Sequence, residues 1–360
     1  MNNSFWNYYN FRMNLLLSLD NSDKHEIHLA APIDKFYQKV DKKFIIHPLN
    51  FKSSNTNPLS EVQLLIKFYF LIKKIKPDVI LTFTIKPNIY GGLIANFLKI
   101  PIINNISGLG TTFIKKNFTT KIVQFLYRLS FSKFNHIFFQ NEDDLREFKD
   151  NNLLHNSIYE IIPGSGVDTL KWKNINQNNK GKNILFCARL IKDKGINEYL
   201  SAAEILKSKY PDINFNIVGQ IGVDNKTSID KKLLDKYISK NIINYLGESD
   251  SMFEVLSSND IIVLPSYREG ISRFLLEAAS MKKPIVTTNV PGCREIVKDS
   301  FNGFLCNPMD DIDLAEKIEK MINLSEKERI KLGNNGRKLV VENFEEGKVI
   351  EKYKSIIRNI

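Results

Sequence analysis

One rhythm constrains this chain more than any other feature. Short β-rich apolar runs alternate with longer segments of helical apolar period, and the alternation runs through the sequence twice. Strands separated by helix-length segments lie parallel, with helices on the faces of the sheet. In the first half, Glu26–Ala31, Phe44–Pro48, Val79–Thr84, Ile102–Ile106, His136–Gln140 and Ile158–Ile162 read as strands. Helices are expected between them over Phe11–Leu19, Glu61–Lys76, Ile89–Leu98, Phe118–Phe134 and Glu142–Asn151. The rhythm breaks at Leu170–Lys182, an Asn/Lys-rich stretch without apolar period, and then restarts. Strands Ile184–Ala188, Asn214–Val218, Ile242–Leu246, Ile261–Pro265 and Ile285–Thr288 now alternate with helices Ile196–Lys209, Ile229–Ile238, Ser251–Leu256 and Ser272–Met281.

The expected fold is therefore α/β, with two doubly wound Rossmann-like domains, 1–169 and 170–344, which suits a chain of 360 residues. A last helical segment, 345–360, spreads Val349, Ile350, Tyr353, Ile356 and Ile357 at helical spacing and packs on either domain or crosses back to the first. A doubly wound domain normally opens with a buried strand and a glycine turn. Only polar and aromatic residues precede Phe11 here, so the opening strand is expected to be missing, through truncation or a start codon placed too late.

With 43% hydrophobic and 25% charged residues, the chain has the composition of a globular protein. The longest greasy stretch, Leu64 to Ile72, is broken by Lys67 and is far shorter than the ~20 residues of a spanning helix. The first residues lack the basic start and apolar core of a secretory signal. Cys187, Cys293 and Cys306 are odd in number and far apart, which offers neither a disulfide framework nor a metal knuckle and points to a reducing cytosol. A net charge of +11 suits an anionic partner: nucleic acid, an anionic membrane face or a phosphorylated small molecule. Basic and acidic residues are interspersed and no nucleic-acid module is recognisable, so nucleic acid is not the expected partner.

Chemistry concentrates between Ile261 and Met281. Glu269 and Glu277 would stand about 80° apart on one helix. Gly270 instead places Glu269 in a loop and Glu277 in the second turn of the helix that follows. Side chains lean toward a helix N-terminus, so both carboxylates would border one crevice, where the amides of Ile271, Ser272, Arg273 and Phe274 form an anion site. The bland alternative is a solvated loop glutamate and an exposed helix position. After strand Ile184–Ala188 come Arg189 and then Lys194-Gly195 opening a helix. An Arg fork and a Lys point charge suit a diphosphate, although two surface cations beside a turn glycine would look the same. Both loops follow the carboxyl ends of parallel strands, where ligands of this fold class bind.

Arg189…Lys194-Gly195, Glu269-Gly-Ile-Ser-Arg-Phe-Leu-Leu-Glu277 and Pro291-Gly-Cys-Arg-Glu295 resemble the donor-site signature of family 4 retaining glycosyltransferases. Tyr9-Asn10-Phe11-Arg12, Thr84-Ile-Lys-Pro-Asn-Ile-Tyr90-Gly91, Ile106-Ser-Gly-Leu-Gly-Thr111 and Phe139-Gln-Asn-Glu-Asp-Asp144 are similar to the bacterial subgroup that extends undecaprenyl-diphosphate-linked sugars in capsule, O-antigen or glycoprotein glycan assembly. The resemblance implies the GT-B fold, two Rossmann-like domains facing a central cleft. It also implies a hexosyltransferase using a nucleotide-sugar donor, UDP-N-acetylhexosamine or UDP-hexose. In that frame Arg189 and Lys194 hold the diphosphate and stabilise the departing nucleotide, and Glu277 accepts from the ribose hydroxyls. Glu269 contacts the transferred sugar, the 271–274 amides bind sugar and phosphate oxygens, and Gly270 and Gly219 complete the donor set. Arg12, Lys86, Ser107, Gly108 and Gly110 are the acceptor-side candidates. Many family members carry a histidine where this chain has Ser107-Gly108-Leu109-Gly110, a substitution shared by the lipid-linked subgroup. The implied partners are a nucleotide sugar, a polyprenyl-diphosphate glycan and an anionic membrane touched peripherally at its cytoplasmic inner face, with no metal or other cofactor. The rival readings are a GT-B nucleotide-sugar epimerase and a truncated, non-catalytic sugar-nucleotide-binding protein.

Other signals are set aside. In Gly108-x-Gly110, Phe113 takes the third glycine position of a dinucleotide fingerprint. Asp311-x-Asp313 reads as helix capping rather than a metal motif, and the five histidines lack zinc spacing. Lys115–Lys133 sets five cations among Phe118, Ile122, Phe125, Leu126, Leu129 and Phe131; it suits an interfacial helix or an ordinary helix packed on the sheet.

Overall fold

The computed structural model describes residues 1–20, 25–52, 55, 57–109, 113, 118–131, 134–173, 179–223 and 225–360. It divides into two compact units, Met1–Ser165 with Gly347–Ile360, and Gly166–Glu346.

The first unit begins with helices α1 (Phe5–Phe11) and α2 (Met13–Asp20). Helix thus starts at Phe5, not near Phe11. Ser4 caps it by accepting from the Asn7 amide at 3.2 Å, and burial of Phe5 and Tyr8 overrides the weak helix propensity of an aromatic-rich segment. Strands β1 (His28–Ala31) and β2 (Ile45–Pro48) pair in parallel. Helix α3 (Pro58–Ile75) leads to β3 (Ile80–Phe83), α4 (Ile85–Leu98), β4 (Ile102–Ile106), α5 (Phe118–Ser130), β5 (Asn135–Phe139), α6 (Glu142–Asp150) and β6 (Ile158–Ile161). Strands β3 to β6 form one parallel sheet in chain order.

No strand precedes α1 among the described residues, and the place between β1 and β3 is bridged by two residues. The Asn2 amide donates to Ala30 O at 3.0 Å, the Phe83 amide donates to Met1 O at 3.1 Å, and the Met1 amine donates to Leu81 O at 2.6 Å. Burial pushes the Met1 amine down to about 5.

Right-handed crossovers that advance in one direction place their helices on one face. Leu64 and Phe68 of α3, Ile94 of α4, Tyr127 of α5 and Phe148 of α6 accordingly share one core. On the other face Phe5, Leu15 and Leu16 pack with Val349 and Tyr353 of the C-terminal helix. The middle of β4 is polar but satisfied: Asn104 donates to Thr82 Oγ1 at 2.8 Å, and Asn105 donates to the Tyr353 hydroxyl at 2.7 Å.

The second unit contains β7 (Asn183–Cys187), α7 (Ile196–Lys209), β8 (Asn214–Val218), α8 (Lys231–Ser239), β9 (Asn244–Tyr245), α9 (Met252–Ser257), β10 (Ile261–Leu264), α10 (Arg273–Ser280), β11 (Ile285–Thr288), β12 (Gly303–Cys306), α11 (Asp311–Asn323) and α12 (Glu326–Asn343). The last helix of the chain, α13 (Glu346–Arg358), follows. Its parallel sheet runs β12-β11-β10-β7-β8-β9, so strand order reverses between β7 and β10 and leaves a crevice at their carboxyl ends. Strand β12 and helix α12 were not expected. Gly333, Asn334, Asn335 and Gly336 dilute the helical signal of α12, although Ser325 and Glu328 form a reciprocal capping box at its start. At α11 the cap is Asp310, which accepts from the Asp313 amide at 2.9 Å, and Asp313 pairs with Lys317 at 3.3 Å.

Candidate active site

The expected donor residues gather at the reversal point of the second sheet. Leaving β7, the chain passes exposed Arg189, makes a tight turn over Lys192–Lys194 and enters α7 through Gly195. Gly195 has φ +74°, and a Cβ there would lie 2.0 Å from Pro265 O, so the loop is pressed against the end of β10. The contact is pinned by the Tyr267 amide, which donates to Asp193 O at 2.9 Å.

The loop after β10 is gripped from its other side by the Pro291-Gly292 turn. The Glu269 amide donates to Pro291 O at 3.0 Å, and the Ser272 amide donates to Gly292 O at 3.1 Å. Gly292, with φ +81°, approaches so closely that a Cβ would lie 2.5 Å from Gly270 O. Held in this way, Glu269 forms an ion pair with Lys194, both side chains being mostly buried. Their charges are felt by the buried Cys293 thiol, which burial first and Glu269 second push up to about 12, against the opposing effect of Lys194.

Ser272 caps α10 by accepting from the Leu275 amide. Ile271 and Phe274 rest on the core of the unit, and Gly270 is buried. One turn into the helix, the Glu277 side chain is 12% exposed and accepts from Arg273 Nε at 2.9 Å. Burial raises the Glu277 carboxyl above its ordinary range, while Arg273 and then Lys171 pull it back. Cys187, at the end of β7, is pushed up to about 12 by burial and by the charge of Glu277.

Arg273 has a task that its position in the sequence did not disclose. Its Nη1 donates to Gly166 O at 2.6 Å and stands 4.0 Å from Glu346, where the chain enters and leaves the unit. The Arg-x-x-x-Glu spacing was legible as a helix pair, but Gly166 and Glu346 were not. Gly219 likewise serves packing: at φ +152° a Cβ would lie 1.8 Å from Ala188 O, and its amide donates to Gly247 O at 2.9 Å. The Arg189 guanidinium makes no hydrogen bond or ion pair among the described residues.

Comparisons with known proteins identify the family and the fold. A family model described as glycosyl transferases group 1 matches residues 168–339, and one described as glycosyl transferase 4-like matches residues 3–141. The chain is 31% identical to the N,N'-diacetylbacillosaminyl-diphospho-undecaprenol alpha-1,3-N-acetylgalactosaminyltransferase of Campylobacter jejuni, over 98% of this chain and 96% of that one. The chain belongs to the family 4 glycosyltransferases. It is also 24% identical to the UDP-Gal:alpha-D-GlcNAc-diphosphoundecaprenol alpha-1,3-galactosyltransferase of Escherichia coli, over 91% of this chain and 86% of that one. The GT-B fold is shared with Anabaena HepE, solved in complex with UDP-glucose, at a TM-score of 0.79 and 16% identity over 96% of this chain and 95% of that one.

In the first unit of the glycosyltransferase the acceptor-side candidates have different surroundings. Ser107 and Gly108 follow β4 at the carboxyl edge of its sheet, and Gly110 lies outside the described residues. Arg12 is buried with its guanidinium 4.3 Å from the centre of the Phe83 ring. Lys86 donates to Glu61 at 2.6 Å and to the carbonyls of Asn55 and Lys52 at 2.6 and 2.9 Å, which uses its three ammonium protons to tie α4 to α3 and its approach.

Proposed function

We propose that this glycosyltransferase moves a hexose or N-acetylhexosamine, with retention, from a UDP donor to a polyprenyl-diphosphate-linked glycan at the inner face of the cell membrane. The observation that carries the donor half is the meeting of Lys194, Glu269 and the start of α10 at the reversal point of a parallel sheet, with Glu277 one turn deeper. The acceptor half rests on the printed activities of the Campylobacter and Escherichia relatives, both of which act on undecaprenol-linked sugars.

Each residue has a chemical task in this reading. Glu277 accepts from the ribose hydroxyls and so fixes the nucleoside. Arg189 and Lys194 face the diphosphate, whose leaving oxygen gains charge as the glycosidic bond breaks; fixed cations there lower the barrier more than they tighten ground-state binding. The diphosphate competes with Glu269 for the Lys194 ammonium, and the released carboxylate turns to the sugar hydroxyls. Two cations and helix amides do the work that a divalent ion does in other transferases, so no metal is required.

The test is transfer from a panel of UDP-sugars to a polyprenyl-diphosphate-linked monosaccharide with EDTA in excess. The expected result is a lipid-linked disaccharide from one donor. Free epimerised nucleotide sugar, or no turnover of any donor with UDP bound, would overturn the reading.

A further inference from the structure

Two helices of the first unit, α3 and α5, leave apolar stripes uncovered, and α4 between them adds one exposed ring. On α5, Phe118, Ile122, Phe125 and Leu129 fall within about 60° of arc on the side opposite buried Tyr127, and Phe118 is 77% exposed. On α3, Leu59, Val62, Ile66 and Phe70 fall within about 80°, opposite buried Leu64, Phe68 and Ile72. Helix α4 lies between them. Its Phe97 is 74% exposed with its ring 6.1 Å from that of Tyr69 on α3, and its Asn96 donates to Ser130 O of α5 at 2.7 Å. Single exposed hydrophobic residues are ordinary, but two stripes on helices that flank a common neighbour, each opposite a buried face, are not.

The charges select the partner. These three helices carry Lys67, Lys73, Lys74, Lys86, Lys121 and Arg128 against one acid, Glu61, which already pairs with Lys86. Apolar rings flanked by long cations, with no free acid, match the boundary between anionic headgroups and acyl chains. They fit an acidic protein surface less well, because such a surface would leave the rings against water or charge. Among the described residues no helix is long and apolar enough to span a bilayer, so the contact would lie on the membrane plane.

We infer that the α3–α4–α5 face of the first unit docks on an anionic bilayer, with the rings at the headgroup boundary and the lysines on the phosphates. This rests on the reading above that the acceptor is lipid-linked, and it confines enzyme and acceptor to one surface.

The experiment is co-sedimentation with phosphatidylglycerol vesicles and with phosphatidylcholine vesicles. The wild-type chain should sediment with the first, hardly with the second, and be released as salt is raised. Phe118→Ser with Phe125→Ser, and separately Leu59→Ser with Phe70→Ser, should each weaken partition about tenfold or more while melting temperature and UDP affinity stay unchanged. Transfer to a long-chain acceptor in vesicles should fall in step, and transfer to a short-prenyl, water-soluble acceptor should not. Wild-type protein left in the supernatant, equal binding to both vesicles, or variants that sediment like wild type would overturn the docking face even if soluble acceptor is glycosylated. Vesicle binding without transfer to either acceptor would instead overturn the proposed function and leave the docking face standing.

Discussion

Arg273→Ala tests whether the donor site is as desolvated as its geometry says. The substitution removes the cation from a carboxylate whose side chain is 12% exposed and whose pKa burial has already raised. Breaking a buried pair from one side costs about 3–5 kcal/mol, a range that includes the charged hydrogen bonds to Glu277 and Gly166. Lys171 still favours the carboxylate, and Glu277 is free to take up a proton, so the lower end, about 3 kcal/mol, is expected. In a Glu277→Gln background the same substitution should cost about 1 kcal/mol, a coupling of about 2 kcal/mol. Urea unfolding followed through Trp172 reads this out: it is buried in the second unit, and Trp6→Phe removes the other tryptophan of the two. The pH dependence has a definite sign. A carboxyl whose folded pKa lies above its unfolded one favours folding when protonated, and that contribution is lost as pH rises through the folded value. Without Arg273 the folded pKa climbs further, so the variant should approach wild-type stability at pH values where Glu277 is protonated in both proteins and fall furthest behind where it is ionised in both. A cost or a coupling under about 0.5 kcal/mol would refute the reasoning.

The same carboxylate should govern nucleotide binding: UDP affinity measured by calorimetry should rise as pH climbs through its raised pKa, and Glu277→Ala should cost about 1.5–3 kcal/mol. Unchanged affinity would remove the ribose role. Arg189→Ala with Lys194→Ala should lower kcat about a hundredfold with a much smaller change in UDP affinity, since the charge they meet develops in the transition state; a wild-type rate would end the diphosphate assignment. Gly292→Ala places a Cβ 2.5 Å from Gly270 O at φ +81°, so activity and melting temperature should both drop. A variant with wild-type kinetics would show that the turn does not hold Glu269.

What was legible in the sequence follows from what is local. Ile102–Ile106, Asn214–Val218, Ile285–Thr288 and helix Ile196–Lys209 occur at the bounds expected of them, because each strand is a short run holding Ile or Val between turn-forming Pro, Gly, Ser or Asn, and a long amphipathic helix is a period. The convergence of Lys194 with Glu269 was legible for a related reason: loops at the carboxyl ends of the strands flanking a reversal point must face one crevice, whatever their separation in the chain. Helix α1 and strand β12 were hidden because packing, not propensity, forms them. The same division runs through the site. A carboxylate or a glycine can be seen in a motif, but the partner that decides its state lies far away, as Pro291 O does for the Glu269 loop and Gly166 O for Arg273. Lys86 shows the consequence most sharply. It sits in a motif quoted for acceptor binding, yet Glu61 and two carbonyls at positions 52 and 55 take its protons, so in this structure the lysine holds two helices together instead of presenting a charge. Tyr90 of the same motif also donates to Glu61, at 2.6 Å, so one carboxylate outside the motif sets the state of two of its residues.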